Sequence, residues 1–220
     1  MTVTLAAVDK NGHAWIGSDS CASDSINHST VKNNKVFHPV GRKDVLIGFA
    51  GTFRMQNLLQ YIPGVFPPEN ELSTDEIDMA YLVNEFTPVI SAITEDFDDD
   101  DAWELLIAVG NRIYHMQMDL SIIEPADDSD AIGIGGSVAL GAFKVLNELV
   151  PERPIKDRIT HALQVACDSC QGCHGPFLIL QTEDSDVKPG KDVDRQSRGY
   201  EIVRRQEDPH KKSNKKSKKK

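Results

Sequence analysis

The sequence has no apolar run approaching the ~18 residues that a membrane-spanning helix needs. Its N-terminus also lacks the basic stretch and apolar core of a secretory signal. Only four cysteines occur in 220 residues. That is too few for a disulfide framework in a chain this long, so a reducing compartment is the default. A cytoplasmic protein without membrane contact is therefore expected. Gly133-Ile134-Gly135-Gly136 lacks the lysine and the spacing of a phosphate-binding loop, so no ATP site of that kind is read. The acidic stretch Asp96 to Asp101 has neither octahedral nor EF-hand spacing and reads as a solvated turn. No solenoid-type repeat is seen.

Positive charge is scarce except at one end. The net charge is −10, but Lys211 to Lys220 hold seven lysines and no acid, which leaves −17 on the rest. The acidic body argues against broad nucleic-acid binding. The lysine tail, expected to be disordered and solvated, is the segment suited to anionic partners. Residues 1–182 are read as one domain with ample apolar content for a core, 183–210 as a charged extension and 211–220 as the tail.

What is there begins at the second residue. Residues 1–8 read as a buried strand, Asn11-Gly12 as a tight hairpin turn, and Ala14-Trp15-Ile16-Gly17-Ser18 as a returning strand that delivers Asp19. Thr2 follows the initiator methionine directly. If Met1 is removed, Thr2 carries a hydroxyl and a free α-amine, which pairs nucleophile and base in one residue. Cys21 to Asn34 reads as a polar loop and Lys35-Val36-Phe37 as a short strand. Val45 to Ala50 reads as a fully buried strand and Thr52 as the cap of a helix whose buried face is Phe53, Leu58, Leu59 and Ile62. Ser73 to Glu76 fits a capping box opening a second helix through Ile93, kinked at Pro88. A second hairpin turns at Gly110-Asn111, and Ile122-Ile123 is a further short extended piece. Ser137 is expected to cap a third helix, Ile155 to Cys170 is a fourth, and Phe177 to Leu180 is a last strand. Strands and helices thus come in blocks, which favours packed sheets with helices segregated to their faces.

The strand-turn-strand ending in Asp19-Ser20 is followed by Lys35-Val36-Phe37, Gly48-Phe49-Ala50-Gly51, Ile132-Gly133-Ile134-Gly135-Gly136 and Ala139-Leu140-Gly141-Ala142. In that order they resemble the proteasome β-subunit family. Asn11-Gly12-His13, Gly48-Phe49-Ala50-Gly51 and Glu124-Pro125 are most similar to its HslV-type bacterial branch. The resemblance implies an α+β fold, the four-layer αββα sandwich of the N-terminal-nucleophile hydrolases. It implies a threonine peptidase with Thr2 as nucleophile, Asp19 and Lys35 beside it, and the Gly51 amide at the oxyanion. Asp19 and Lys35 stand 16 residues apart, as in the family. It further implies polypeptide substrates, self-assembly into stacked rings and a separate ATP-dependent unfoldase. No cofactor is required, but backbone carbonyls of Cys167, Cys170 and Cys173 would hold a structural monovalent or divalent cation.

The sequence departs from that pattern in three places. The family spacing from threonine to aspartate falls on Val3, and Thr2 reaches it only if the Asp9-Lys10-Asn11 turn absorbs one residue. Ile134 stands where a supporting serine is often found, with Ser137 one turn on. Cys170 and Cys173 replace the aspartate and serine of the proteasome pattern. These departures motivate an alternative, a non-catalytic ring or scaffold subunit; a third reading is an amidohydrolase acting on a small amide. Cys170-Gln171-Gly172-Cys173-His174 formally matches a c-type haem motif, and with Cys167 a Cys₃His zinc set, but reads first as a helix end with partly buried thiols.

Overall fold

The computed structural model describes residues 2–23, 27–98 and 102–183. The described residues fall within one compact unit, Met1–Pro189. Glu183 is the only described residue of the predicted extension, and the tail lies outside the described residues.

Two antiparallel sheets form the centre. One has four strands in the order β10-β1-β2-β11, where β1 is Thr4–Val8, β2 Ala14–Ser18, β10 Ser129–Ile132 and β11 Leu178–Gln181. The other has five in the order β5-β6-β7-β8-β9: Val36–Phe37, Val45–Gly51, Trp103–Val109, Arg112–Gln117 and Ile122–Ile123. Strand parity sorts the side chains into three apolar clusters. Ala6, Ala14 and Ile16 meet Leu46, Leu106 and Ala108 between the sheets. Val3, Leu5 and Ala7 point the other way, onto helices α4 (Gly136–Leu149) and α5 (Ile155–Ser169). Val45, Ile47, Phe49, Leu105 and Ile107 pack against helices α1 (Phe53–Tyr61), α2 (Met79–Tyr81) and α3 (Thr87–Thr94) and the segments around them.

The sheets press together at Gly48. A Cβ there would lie 2.7 Å from Ile16 Cγ2 and 2.8 Å from Thr4 Cγ2. Both are branched, rotamer-poor side chains, and the Thr4 hydroxyl is held by the Phe49 carbonyl at 3.0 Å. Gly48→Ala is therefore expected to destabilise the fold by about 1–3 kcal/mol, as overpacking does. A urea midpoint equal to wild type would contradict this packing.

Several local expectations are corrected. Asn11-Gly12 does not form a two-residue turn. The loop runs from Asp9 to His13, closed by Asp9 N–H to His13 O at 2.9 Å, with only Gly12 at positive φ. Asp9 Oδ1 accepts the Asn11 and His13 amides, and Oδ2 accepts the Trp15 indole N–H, so the aspartate organises the turn. The polar stretch 21–34 contains a hairpin, β3 Cys21–Ser23 with β4 His28–Thr30. β4 is wholly exposed, so it had no alternating apolar pattern to betray it. The buried face of α1 is Met55, Gln56 and Leu59, with Ile62 packed against the same core.

The Ser73 capping box forms, with Ser73 N–H donating to Glu76 Oε2 at 3.0 Å, but it opens only a short 3₁₀ turn, Thr74–Glu76. The helix restarts at Met79, where Asp78 accepts the Tyr81 N–H. It widens into a π-type turn over Leu82–Phe86 and resumes at Thr87. That wide turn lies just ahead of Pro88, which has no N–H to give the preceding turn. α4 begins at Gly136 with Gly135 at its cap, so Ser137 is an exposed residue of the first turn.

Candidate active site

The β1–β2 register decides which early residue meets Lys35. Thr4 pairs with Ser18, and the Asp19 N–H donates to Val3 O at 3.2 Å. Because side chains alternate, Val3 goes with Leu5 into the helix-facing core, where its side chain packs near Gly135. Thr2 goes with Thr4 and Ala6 toward the opposite sheet. There Lys35 Nζ donates to Thr2 Oγ1 at 2.6 Å and to Asp19 Oδ1 at 2.9 Å. All three residues are buried, and the Lys35 and Asp19 side chains are 1% and 0% exposed.

Each group is fixed by its backbone. Asp19 also accepts the Val3 amide on Oδ1 and the Cys21 amide on Oδ2, both at 3.0 Å. Lys35 is tied to β6 through its carbonyl, which accepts the Phe49 N–H at 3.0 Å. The Thr2 carbonyl accepts the Gly135 amide at 3.3 Å. The neighbouring Gly133 has φ +80°, and a Cβ there would lie 2.4 Å from that carbonyl oxygen. Only glycine fits so close a backbone approach in that conformation. The Thr4 hydroxyl is used up between Ser18 Oγ and Phe49 O.

Beside Thr2 opens a cavity of about 420 Å³, walled by Ala50, Gly51, Trp103, Glu104, Met118 and Ile134 among others. Gly51 is exposed there at φ +126°, and a Cβ would come within 2.2 Å of the Ala102 carbonyl oxygen. Glycine is therefore required at the cavity lip. The structure thus brings Thr2, Asp19 and Lys35 into hydrogen-bonded contact and sets Gly51 on the wall of the same cavity. It leaves Ser137 on the exposed first turn of α4, and no described hydrogen bond joins it to Thr2.

No protein-family model matches the chain. Solved structures do. The chain is similar to Thiobacillus denitrificans BPH, solved in complex with epoxomicin, at a TM-score of 0.64 and 18% identity, over 84% of this chain and 100% of that one. It is similar to eukaryotic HslV from Trypanosoma brucei at 0.60 and 18%, over 82% and 99%. Anbu, the ancestral β-subunit from Yersinia bercovieri, matches at 0.59 and 14%, over 82% and 81%. The chain has the HslV-type, proteasome-like fold.

On this HslV-type fold the cysteine segment closes α5 and runs past Asp19. Ser20 N–H donates to His174 O at 3.2 Å. Cys173 is buried, Cys167 and Cys170 half-buried, and all three thiols are free. Burial, more than any neighbouring charge, pushes the Cys167 and Cys173 thiols up to about 12, so both are neutral at neutral pH. Among the described residues no group of three or more His, Cys, Asp or Glu side chains is placed to hold a metal ion. The helix-end reading of these thiols stands.

One charged group escaped sequence reading. Glu104, His115 and Asp130 come from β7, β8 and β10 and meet behind the cavity wall, with His115 Nδ1 2.9 Å from Asp130 Oδ2. The available signal was a glutamate inside the otherwise apolar Trp103–Val109 strand. Among the described residues no helix is long and apolar enough to cross a membrane.

Proposed function

We propose that the chain is a threonine-type endopeptidase subunit whose nucleophile is Thr2 after removal of Met1. The observation that carries this reading is the 2.6 Å bond from Lys35 Nζ to Thr2 Oγ1, with Asp19 2.9 Å behind it. A free α-amine titrates at ~7.7–8.0, so near neutral pH part of it is an uncharged base. It takes the Thr2 hydroxyl proton, directly or through one water, as Oγ1 attacks the peptide carbonyl. Lys35 stabilises the negative charge that develops on Oγ1, and the Gly51 N–H that on the carbonyl oxygen. The tetrahedral intermediate collapses, the proton passes to the leaving amine, and an ester remains on Thr2. Water then hydrolyses the ester and restores the hydroxyl.

The three apolar clusters support a four-layer αββα sandwich. By likeness to the HslV and Anbu structures, copies of the chain would assemble into stacked rings that enclose the sites, in the cytoplasm. A separate ATP-dependent unfoldase would supply polypeptide. The carbonyls of Cys167, Cys170 and Cys173 would hold a structural cation, a site of backbone oxygens that suits a hard ion.

Intact mass of the purified assembly tests this reading. The expected species lacks Met1, sizes as a ring by native mass spectrometry and hydrolyses peptide amides in a reaction blocked by epoxomicin. A retained Met1 or a monomer in solution sinks it. One observation favours a non-catalytic ring subunit instead: Ile134, at the supporting-serine position, is 57% exposed and offers Thr2 no hydroxyl.

A further inference from the structure

His115 sits between two carboxylates on different strands. Its Nδ1 lies 2.9 Å from Asp130 Oδ2, and its Nε2 lies 3.6 Å from Glu104 Oε1. The second contact is ionic, beyond hydrogen-bond reach, and Nε2 is buried with no hydrogen-bond partner. The other Glu104 oxygen, Oε2, accepts the Gly133 N–H at 3.1 Å. Gly133 and Gly135 are the residues that press on and donate to the Thr2 carbonyl. A continuous chain of contacts therefore runs from His115 through Glu104 and Gly133 to Thr2. It crosses from β7 and β8 of one sheet to β10 of the other.

We infer that protonated His115 is a positioning residue, drawing Glu104 and Asp130 together and thereby holding the Gly133 turn against the Thr2 carbonyl. For catalysis this inference rests on Thr2 being the nucleophile; the clamp itself does not. A neutral imidazole has one N–H and answers one carboxylate, whereas imidazolium answers both. The Asp130 hydrogen bond, and next the Glu104 carboxylate, hold His115 at about 9 against an ordinary 6.5. The same imidazolium, with the Gly133 amide, holds the Glu104 carboxyl below its usual range. β9 (Ile122–Ile123) and β1 (Thr4–Val8) bring no titratable side chain to His115. With the folded value raised, the clamp is fully present below about pH 6.5 and is lost as pH rises through about 9.

The test compares wild type, His115→Gln and Glu104→Gln as full-length assemblies by hydrogen exchange at pH 7. Exchange over residues 129–136 is expected to quicken about tenfold in both variants, while the strands β6 and β7 stay protected. Peptide hydrolysis is expected to lose about 10–100-fold in kcat with KM within about twofold, as displacement of a reacting group does. Wild-type kcat is expected to fall through about pH 9, a limb absent from His115→Gln. Wild-type exchange at 129–136 in both variants overturns the clamp, whether or not the chain hydrolyses peptides. Protection lost evenly over the whole chain in both variants also overturns it, because a clamp loosens one turn. Faster exchange at 129–136 with no hydrolysis by any form leaves the clamp standing and removes the peptidase reading.

Discussion

Thr2→Ala is expected to abolish peptide hydrolysis, with a loss in kcat on the order of 10⁴-fold or more, as removal of a nucleophile does. The fold should survive. Thr2 lies ahead of the ladder that begins at Thr4, and its methyl group keeps some of the contact with the cavity wall. Lys35 loses one of two hydrogen bonds but keeps Asp19 at 2.9 Å, so no buried charge is orphaned. Thr4→Ala is the matched control. It removes a hydroxyl 2.7 Å from Ser18 Oγ and 3.0 Å from the Phe49 carbonyl, and should cost about 1–3 kcal/mol of stability. Its Thr2 stays in place, so hydrolysis per folded molecule should stay near wild type. Equal activity in wild type and Thr2→Ala would assign any hydrolysis to another group, or to a contaminant. Inactive Thr4→Ala at full occupancy of the folded state would show that the two hydroxyls had been given the wrong roles.

Thr2 could be ranked above Val3 only once the register was known. Spacing counted along the chain points to Val3, since it treats the Asp9–His13 loop as fixed in length. What selects Thr2 is parity: Thr4 faces the opposite sheet, Val3 turns into the helix-facing core, and Thr2 therefore returns to the Lys35 side. The buried strands and their order along the chain were legible because they rest on local patterns: alternation, apolar runs and turn residues. The Asp19–Lys35 pairing, which no local pattern announces, was implied only by the resemblance to the proteasome family. Hairpin β3–β4 was not, because an exposed strand of His28, Ser29 and Thr30 buries nothing that would require a pattern. The Glu104–His115–Asp130 group was not, because it joins three strands of two sheets and obeys no fixed sequence spacing. The capping box was legible, yet the helix it announced breaks after one turn. A local signal sets where a helix starts but not how far it continues: the backbone leaves helical geometry at Ile77, and a second cap, Asp78, has to restart it.

Lys35→Met is expected to have the largest combined effect. It removes the cation from a pair with both side chains at or below 1% exposure, and leaves the Asp19 carboxylate held only by the Val3 and Cys21 amides. Breaking a buried ion pair in this way costs about 3–5 kcal/mol, against less than about 1 kcal/mol for an exposed one. Since whole domains are stable by only about 5–15 kcal/mol, a large share of the fold's stability is at stake. Asp19→Asn should be comparably harmful, because it strands the ammonium instead. The double variant Lys35→Met/Asp19→Asn carries no buried charge at this point and should recover about 1.5 kcal/mol or more relative to the sum of the single variants. Urea midpoints of the four forms measure this coupling. Additive losses would mean that the pair is not the buried unit its geometry describes. Recovery of stability should not restore function. The double variant keeps the Thr2 hydroxyl but lacks the ammonium that sits 2.6 Å from it, so its kcat should stay about 10²–10⁴-fold below wild type. Lys35→Arg should fail as well, since a planar guanidinium cannot place one donor on Thr2 Oγ1 and one on Asp19 Oδ1 from a side-chain site shaped for a compact ammonium. A stable, active double variant would leave Lys35 a purely structural residue and transfer stabilisation of the Thr2 oxygen to some other donor.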